Sequence, residues 1–317
     1  MRLLFPLLAL IAMLAVACTS DEKAPTTNTP TPAPAIVVDH TGDPFKIVVS
    51  LPIFADMVRE IAGSQAQVTT IIPVGADPQT YMPTDDQIKA VSEASIIFYN
   101  GLGLETPTQQ FLETHQVHPT SLINFSHNIP SPSTQQPVDH QIYAEERGDD
   151  PHLYLDPQLA KVYPETIADT MVIKDGQNAA FYNARYTDYR NQIDAMNDFI
   201  RARLAMIPDA NKSSLITYHN SLIHFARRYG LGVLGTVIDS GADGLTQAIA
   251  QKHPPAVFSE TGYDDTVLEQ VAGAAGIRVC QLDTDAIANE TTTYLQMMQK
   301  DAETIATCLG APAPTPS

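Results

Sequence analysis

The sequence predicts an α/β protein of two lobes, each a four-stranded, mostly parallel sheet flanked by helices, joined by one long spine helix. Three observations predict it. Short apolar runs rich in β-branched residues alternate with helical periodicity, in two sets of four. Between the sets lies a stretch of about 29 residues of helical pattern with no internal Pro or Gly. The chain has 317 residues, 44% of them hydrophobic, which suits two domains of about 150 residues with real cores.

The first set of strands is expected at Lys46–Leu51, Val68–Ile72, Ile96–Tyr99 and Leu122–Asn124, with helices at Phe54–Ala62, Asp85–Ser92 and Gln109–His115. The second set is expected at Ser214–Tyr218, Val233–Val237, Ala256–Ser259 and Ile277–Leu282. Its helices are expected at Ser221–Tyr229, Leu245–Gln251 and Asp265–Ala275, with a last one over Thr292–Leu309. Between the sets, Asp156 and Pro157 open a helix running to about Ile173, Asp suiting the cap and Pro the first turn. Lys174-Asp175-Gly176 ends it. The spine then runs from Asn178 to Met206, with Phe181, Tyr182, Tyr189, Ile193, Met196, Ile200 and Leu204 mostly three or four apart. At that length it spans roughly 43 Å, more than one small lobe requires.

The amino terminus reads as an address. Residues 1–17 combine Arg2 with an apolar run, Leu3 to Leu14, too short to cross a bilayer, which needs about 20 residues. Small residues then precede Cys18 as in a bacterial lipobox, so Cys18 is the expected site of lipidation. Residues 18–44 form a Pro/Thr-rich tether. The expected division is then 45–176 for the first lobe, 177–208 for the linking helix and 209–317 for the second lobe.

Composition excludes several classes. With 36 acidic and 18 basic residues the net charge is −18, a poor match to nucleic acid. Three cysteines cannot build a disulfide-scaffolded miniprotein.

Residues with metal-ligand chemistry fall just after strands. Two segments echo each other as Asp-Pro-[Gln/His]-x-Tyr: Asp77 to Tyr81 and Asp150 to Tyr154. His219 follows one strand directly and Asp285 follows another. In α/β sheets ligands bind beyond the carboxyl ends of strands, so His152, His219 and Asp285 can converge in a cleft between the lobes. Imidazole and carboxylate together suit one borderline divalent cation. Each residue alone has a plainer reading, as a turn former or a solvated strand end.

Several separated motifs carry a resemblance. They are Ile71-Ile72-Pro73-x-Gly75-x-Asp77-Pro78 with Tyr81-x-Pro83-Thr84; Phe98 to Glu105; Asp150-Pro151-His152-x-x-Leu155-Asp156-Pro157; Thr217-Tyr218-His219 with Phe225 to Gly230; and Thr284 to Ile287. The chain resembles the zinc and manganese solute-binding lipoproteins of bacterial ABC importers from Phe45 to Leu309. The resemblance implies two α/β lobes on a rigid linking helix and a divalent metal between them, zinc first, with manganese or iron possible. It implies an ABC permease and its ATPase as partners, a lipid-anchored monomer outside the cytoplasmic membrane, and no enzymatic activity.

Carried over residue by residue, the resemblance makes His152, His219 and Asp285 metal ligands. The first ligand position departs from the family: Gln79 stands where a His is usual. Three outcomes stay open. Gln79 binds through its oxygen, a water takes the position, or a His from His115, His118, His127 or His140 replaces it. Glu260 is read as orienting a ligand, against a solvated strand-end acid. Cys280 and Cys308 are read as a disulfide, as in some family members, against two buried thiols. Two rival readings remain: a metal-dependent hydrolase, though no His-Glu-x-x-His helix is present, and an adhesin-like surface lipoprotein with a degraded site.

Overall fold

Eight parallel-paired strands carry their apolar β-branched residues into two lobes. A computed structural model describes residues 43–116, 122–128, 150–289 and 292–313. The leader, Cys18, the tether, His118 and His140 lie outside the described residues, as does the side chain of His127. In the first lobe β1 (Phe45–Val49), β2 (Ala66–Thr70), β3 (Ile96–Tyr99) and β4 (Leu122–Asn124) form one parallel sheet in the order β2-β1-β3-β4. Helices α1 (Pro52–Ala62), α2 (Ile88–Glu93) and α3 (Thr106–His115) connect them. Pro52 suits the first turn of α1, where its missing N–H costs nothing.

The second lobe has β5 (Leu215–Thr217), β6 (Val233–Thr236), β7 (Ala256–Glu260) and β8 (Arg278–Leu282), with α7 (Ile223–Tyr229), α8 (Val237–Lys252), α9 (Thr266–Ala275) and α10 (Tyr294–Cys308). Helices α4 (Pro157–Ala160), α5 (Val162–Lys174) and α6 (Ala179–Leu204) lie between the two sets of strands.

Three departures from the sequence expectation have physical causes. The helix expected from Asp156 to Ile173 is broken at Lys161 into α4 and α5. Pro164 has no N–H to offer the carbonyl of Ala160, and its ring crowds that carbonyl, so the break falls one turn before it. Helix α8 starts at Val237, where a strand end was expected, and turns sharply at Gly241 (φ 58°, ψ −178°). Thr236 caps its start by accepting from Asp239 N. The strands of the second lobe are hydrogen-bonded as two parallel pairs, β5-β6 and β7-β8, with β5 beside β7 but not laddered to it. Across this seam the Glu260 carboxylate at the end of β7 accepts from His219 N (3.1 Å) and Ser221 Oγ (2.7 Å), in the segment after β5.

The spine α6 is 26 residues long, about 39 Å. It packs on α1, α4 and α5, where Arg185 donates to Glu60 O and Lys161, at the break between α4 and α5, pairs with Asp194. Its last turn packs on α10, where buried Arg203 meets Glu303 (2.6 Å), Thr307 Oγ1 (3.1 Å) and Pro312 O (2.6 Å). One apolar core runs unbroken from Val49, Phe54 and Phe98 through Ile193 and Met196 to Phe258, Met297 and Ile305. Smaller cores cover the far face of each sheet, around Val91 and Leu112 in one lobe and Leu245 and Leu268 in the other. Each sheet is thus sandwiched between helices, and its strand ends point at the seam between lobes. Cys280 on β8 is disulfide-bonded to Cys308 at the end of α10.

Candidate metal centre

The carboxyl ends of the strands converge on one buried spot. From the first lobe comes His152, in the bend before the turn Leu153–Leu155. Its position is held from β3. Asn100, the residue after that strand, donates from Nδ2 to Pro151 O (3.0 Å) and accepts from Tyr163 OH (2.6 Å). Buried Glu105 in turn accepts from the amides of Asn100 (2.6 Å) and Gly101 (3.3 Å). Gly101 has φ 81°, and a Cβ there would meet the Asn124 side chain at 2.5 Å, so this tight turn requires glycine. Beneath His152, Phe54, Phe98, Phe125, Tyr154 and Tyr163 pack as an aromatic cluster with neighbouring centroids about 5 Å apart.

From the second lobe come His219, two residues past β5, and Asp285, three past β8. His152 Nε2 lies 3.2 Å from Asp285 Oδ1, and His219 Nε2 lies 3.0 Å from Asp285 Oδ2. The two Nε2 atoms are 3.2 Å apart. One donor atom from each of the three residues falls within 4.8 Å of the others. Donors held about 2.0–2.1 Å from a tetrahedral zinc stand roughly 3.3 Å apart, so the triangle has the size of one face of such a site.

The two imidazoles and the carboxylates around them stabilise one another's charge. Burial works against a charge on His152, but Asp285 and Asp150 outweigh it and push its pKa up to about 9. Burial likewise opposes the charge on His219, but Asp285 and Glu260 raise it to about 10. Burial would raise Asp285, yet the two imidazoles hold it well below the ordinary carboxylate range.

Supporting groups fix each donor. Asp150 Oδ1 accepts from His152 N (3.0 Å) and contacts its Nδ1 (3.1 Å), which turns Nε2 towards the cleft. His224 Nε2 stands 3.4 Å from the same oxygen. Glu260, fully buried, accepts from His219 N, from Ser221 Oγ (2.7 Å) and from Thr284 Oγ1 (2.6 Å), tying both second-lobe loops together. Its Oε1 lies 3.3 Å from His219 Nδ1, close enough for an ion pair but misaligned for a hydrogen bond. Tyr154 OH donates to Asp285 Oδ1 (2.7 Å) and Tyr263 OH to Oδ2 (2.6 Å). Asp283 turns elsewhere, to Thr261 Oγ1 and Lys300 Nζ.

Gln79 is exposed at the rim. Its Nε2 is 3.5 Å from Tyr263 OH, so the phenol stands between it and Asp285. His115 is engaged elsewhere, with Nδ1 2.9 Å from Phe111 O. The lobes are also pinned around the centre. Tyr294 donates from N to Asp56 (2.8 Å) and from OH to Tyr154 O (2.8 Å), and Arg228 Nε reaches both oxygens of buried Asp156 at 2.9 Å. Sequence reasoning missed Tyr154, Tyr263 and His224. Tyr154 carried a signal, as the last residue of the repeated Asp-Pro motif; Tyr263 and His224 carried none.

Comparison with known proteins gives a consistent picture. The chain is 27% identical over 306 residues to the manganese-binding lipoprotein MntA of Halalkalibacterium halodurans, covering 93% of this chain and 94% of that one. It is 28% identical over 315 residues to the manganese ABC transporter substrate-binding lipoprotein PsaA of Streptococcus pneumoniae, covering 94% and 96%. Its fold matches that of the periplasmic zinc-binding protein TroA from Treponema pallidum with TM-score 0.73 at 24% identity, over 84% of this chain and 99% of that one. Residues 47–308 match the family described as zinc-uptake complex component A, periplasmic, and the chain belongs to that family, ZnuA.

Proposed function

We propose that the protein is an extracytoplasmic substrate-binding lipoprotein of an ABC importer, which captures a divalent transition metal between its lobes and delivers it to a membrane permease powered by an ATPase. The observation that carries this reading is the buried triangle of His152, His219 and Asp285, three potential donors from separate segments with no other evident task. Two imidazoles and a carboxylate serve zinc, manganese or iron(II). Relatives named for manganese and a fold neighbour named for zinc support both of the first two. Lipidation at Cys18 is supported by the motif before it and by relatives named as lipoproteins. No helix among the described residues is long and apolar enough to cross a membrane.

Capture in this reading is an exchange of charge. The ion displaces the protons on the two Nε2 atoms and takes their place against Asp285. The unbroken core and the spine oppose wide opening, so loading and release work through the rim loops. Calorimetric titration of metal-stripped protein with zinc, manganese and iron(II) tests the reading. One ion per chain is expected; no heat with any of them refutes it.

A further inference from the structure

Four side chains meet the Asp285 carboxylate, His152, His219, Tyr154 and Tyr263, and Tyr263 reaches it from the rim. The Gln79 amide meets Tyr263 OH and not one of the three triangle residues. On the rim the order from solvent inwards is Gln79, then Tyr263 OH at 3.5 Å, then Asp285 Oδ2 at 2.6 Å. The Tyr263 ring is fixed rather than loose. It lies 4.7 Å from the His219 ring and stacks at 4.8 Å on Tyr218. The preceding Gly262 (φ 94°) brings this loop against the first lobe, where a Cβ would meet Gly75 O at 3.3 Å and Asp77 N at 3.4 Å. The phenol oxygen is thus delivered from the second lobe to the rim of the cleft, beside the carboxylate oxygen that also faces His219 Nε2.

Tyr154 makes a similar bond to Asp285 but from the opposite side. It is fully buried, and its ring meets Phe54 edge-on at 5.3 Å. It is a positioning residue behind the carboxylate, whereas Tyr263 is half-buried on the open side.

We propose that Tyr263 supplies the donor that Gln79 does not: its phenol oxygen is the fourth protein ligand of the ion held by His152, His219 and Asp285. The inference rests on the metal-capture reading above. It gives a set of two nitrogens and two oxygens. On binding, the phenol O–H bond breaks and its proton passes to solvent, and the phenolate oxygen bonds the ion in place of its hydrogen bond to Asp285.

The chain has twelve tyrosines and no tryptophan, so the near-ultraviolet difference band of a metal-bound phenolate is readable without indole interference. Stripped protein is titrated with zinc and, separately, with manganese, followed by calorimetry and by difference absorption. A phenolate band is expected to grow in step with binding and to saturate at one ion per chain. Tyr263→Phe is expected to lose the band and to weaken zinc binding by roughly 10–100-fold, the scale for removing a group at a metal site. Tyr154→Phe and Gln79→Ala are expected to keep the band. A phenol that only hydrogen-bonds to Asp285 gives no band, so binding by the wild-type protein without one overturns the proposal. A band that survives in Tyr263→Phe, or vanishes in Tyr154→Phe while that variant still binds zinc, overturns it too. Absence of any binding overturns the capture reading itself, which calorimetry reports separately. A thermal melt of each variant checks that it is folded.

Discussion

The two Asp-Pro turns of this protein are built alike and placed differently. In both, the Asp side chain accepts from the backbone two residues on: Asp77 Oδ1 from Gln79 N at 2.8 Å, Asp150 Oδ1 from His152 N at 3.0 Å. In the first turn the other oxygen of Asp77 accepts from Thr80 Oγ1 (2.8 Å), and Gln79 is exposed, its amide reaching Tyr263 OH. In the second, the Asp also meets the His ring, and the turn is roofed by the other lobe, leaving His152 only 3% exposed. The local device is an Asx turn in each case. What sets the second turn apart is its tertiary setting, with the Asp285 carboxylate opposite His152 and aromatic side chains beneath it.

That contrast can be broken by mutation. The largest expected effect is at His152→Ala, which removes one corner of the triangle; calorimetry should register no binding of zinc or manganese. Next comes the paired test of the two aspartates. Asp150→Asn weakens the acceptor for His152 Nδ1 and should lower metal affinity by roughly 10–100-fold. Asp77→Asn should leave metal affinity unchanged and lower stability by about 1 kcal/mol at most, the scale of a single net hydrogen bond. Equal losses from both would mean that the first turn also belongs to the centre.

A separate test reads pH, with a trend of opposite sign expected with and without metal. In the metal-free protein His152 and His219 have pKa values of about 9 and about 10, above the 6.5 of an unperturbed imidazole. Their contribution to stability is complete below about pH 6.5 and is lost as pH rises through 9 to 10. Metal competes with the same protons, so its apparent affinity should rise over that interval, with net proton release. Melting temperatures of stripped and zinc-loaded protein across that range should converge towards acid and diverge towards alkali.

Much of this was legible in the sequence, for reasons that can be named. The strands of the first lobe are short β-branched runs between turn residues, and all four formed close to their expected positions. The spine was readable because 26 residues without Pro or Gly have few alternatives. The break before Pro164 was equally available, since an internal proline interrupts the ladder one turn upstream. The bend at Gly241 was harder, because glycine within a helical pattern is as often tolerated as not. The gap between β5 and β7 depends on how the two strand pairs pack on their helices, which no local pattern encodes. His219 and Asp285 stood out by residue type and by their places after strands, and His152 by its place in the repeated Asp-Pro motif. Tyr263 did not, because a tyrosine after a strand is ordinary until a carboxylate is found 2.6 Å from its hydroxyl.

The continuous core has a consequence for how the molecule comes apart. Phe54 and Met297 belong to one apolar body that passes through the spine, and Tyr294 and Arg228 fasten its two sides. Melting either half alone would strand its neighbour's oily face in water. Heat should therefore disassemble both halves together in a single calorimetric peak, and occupancy by one ion at the seam should move that whole peak instead of splitting it.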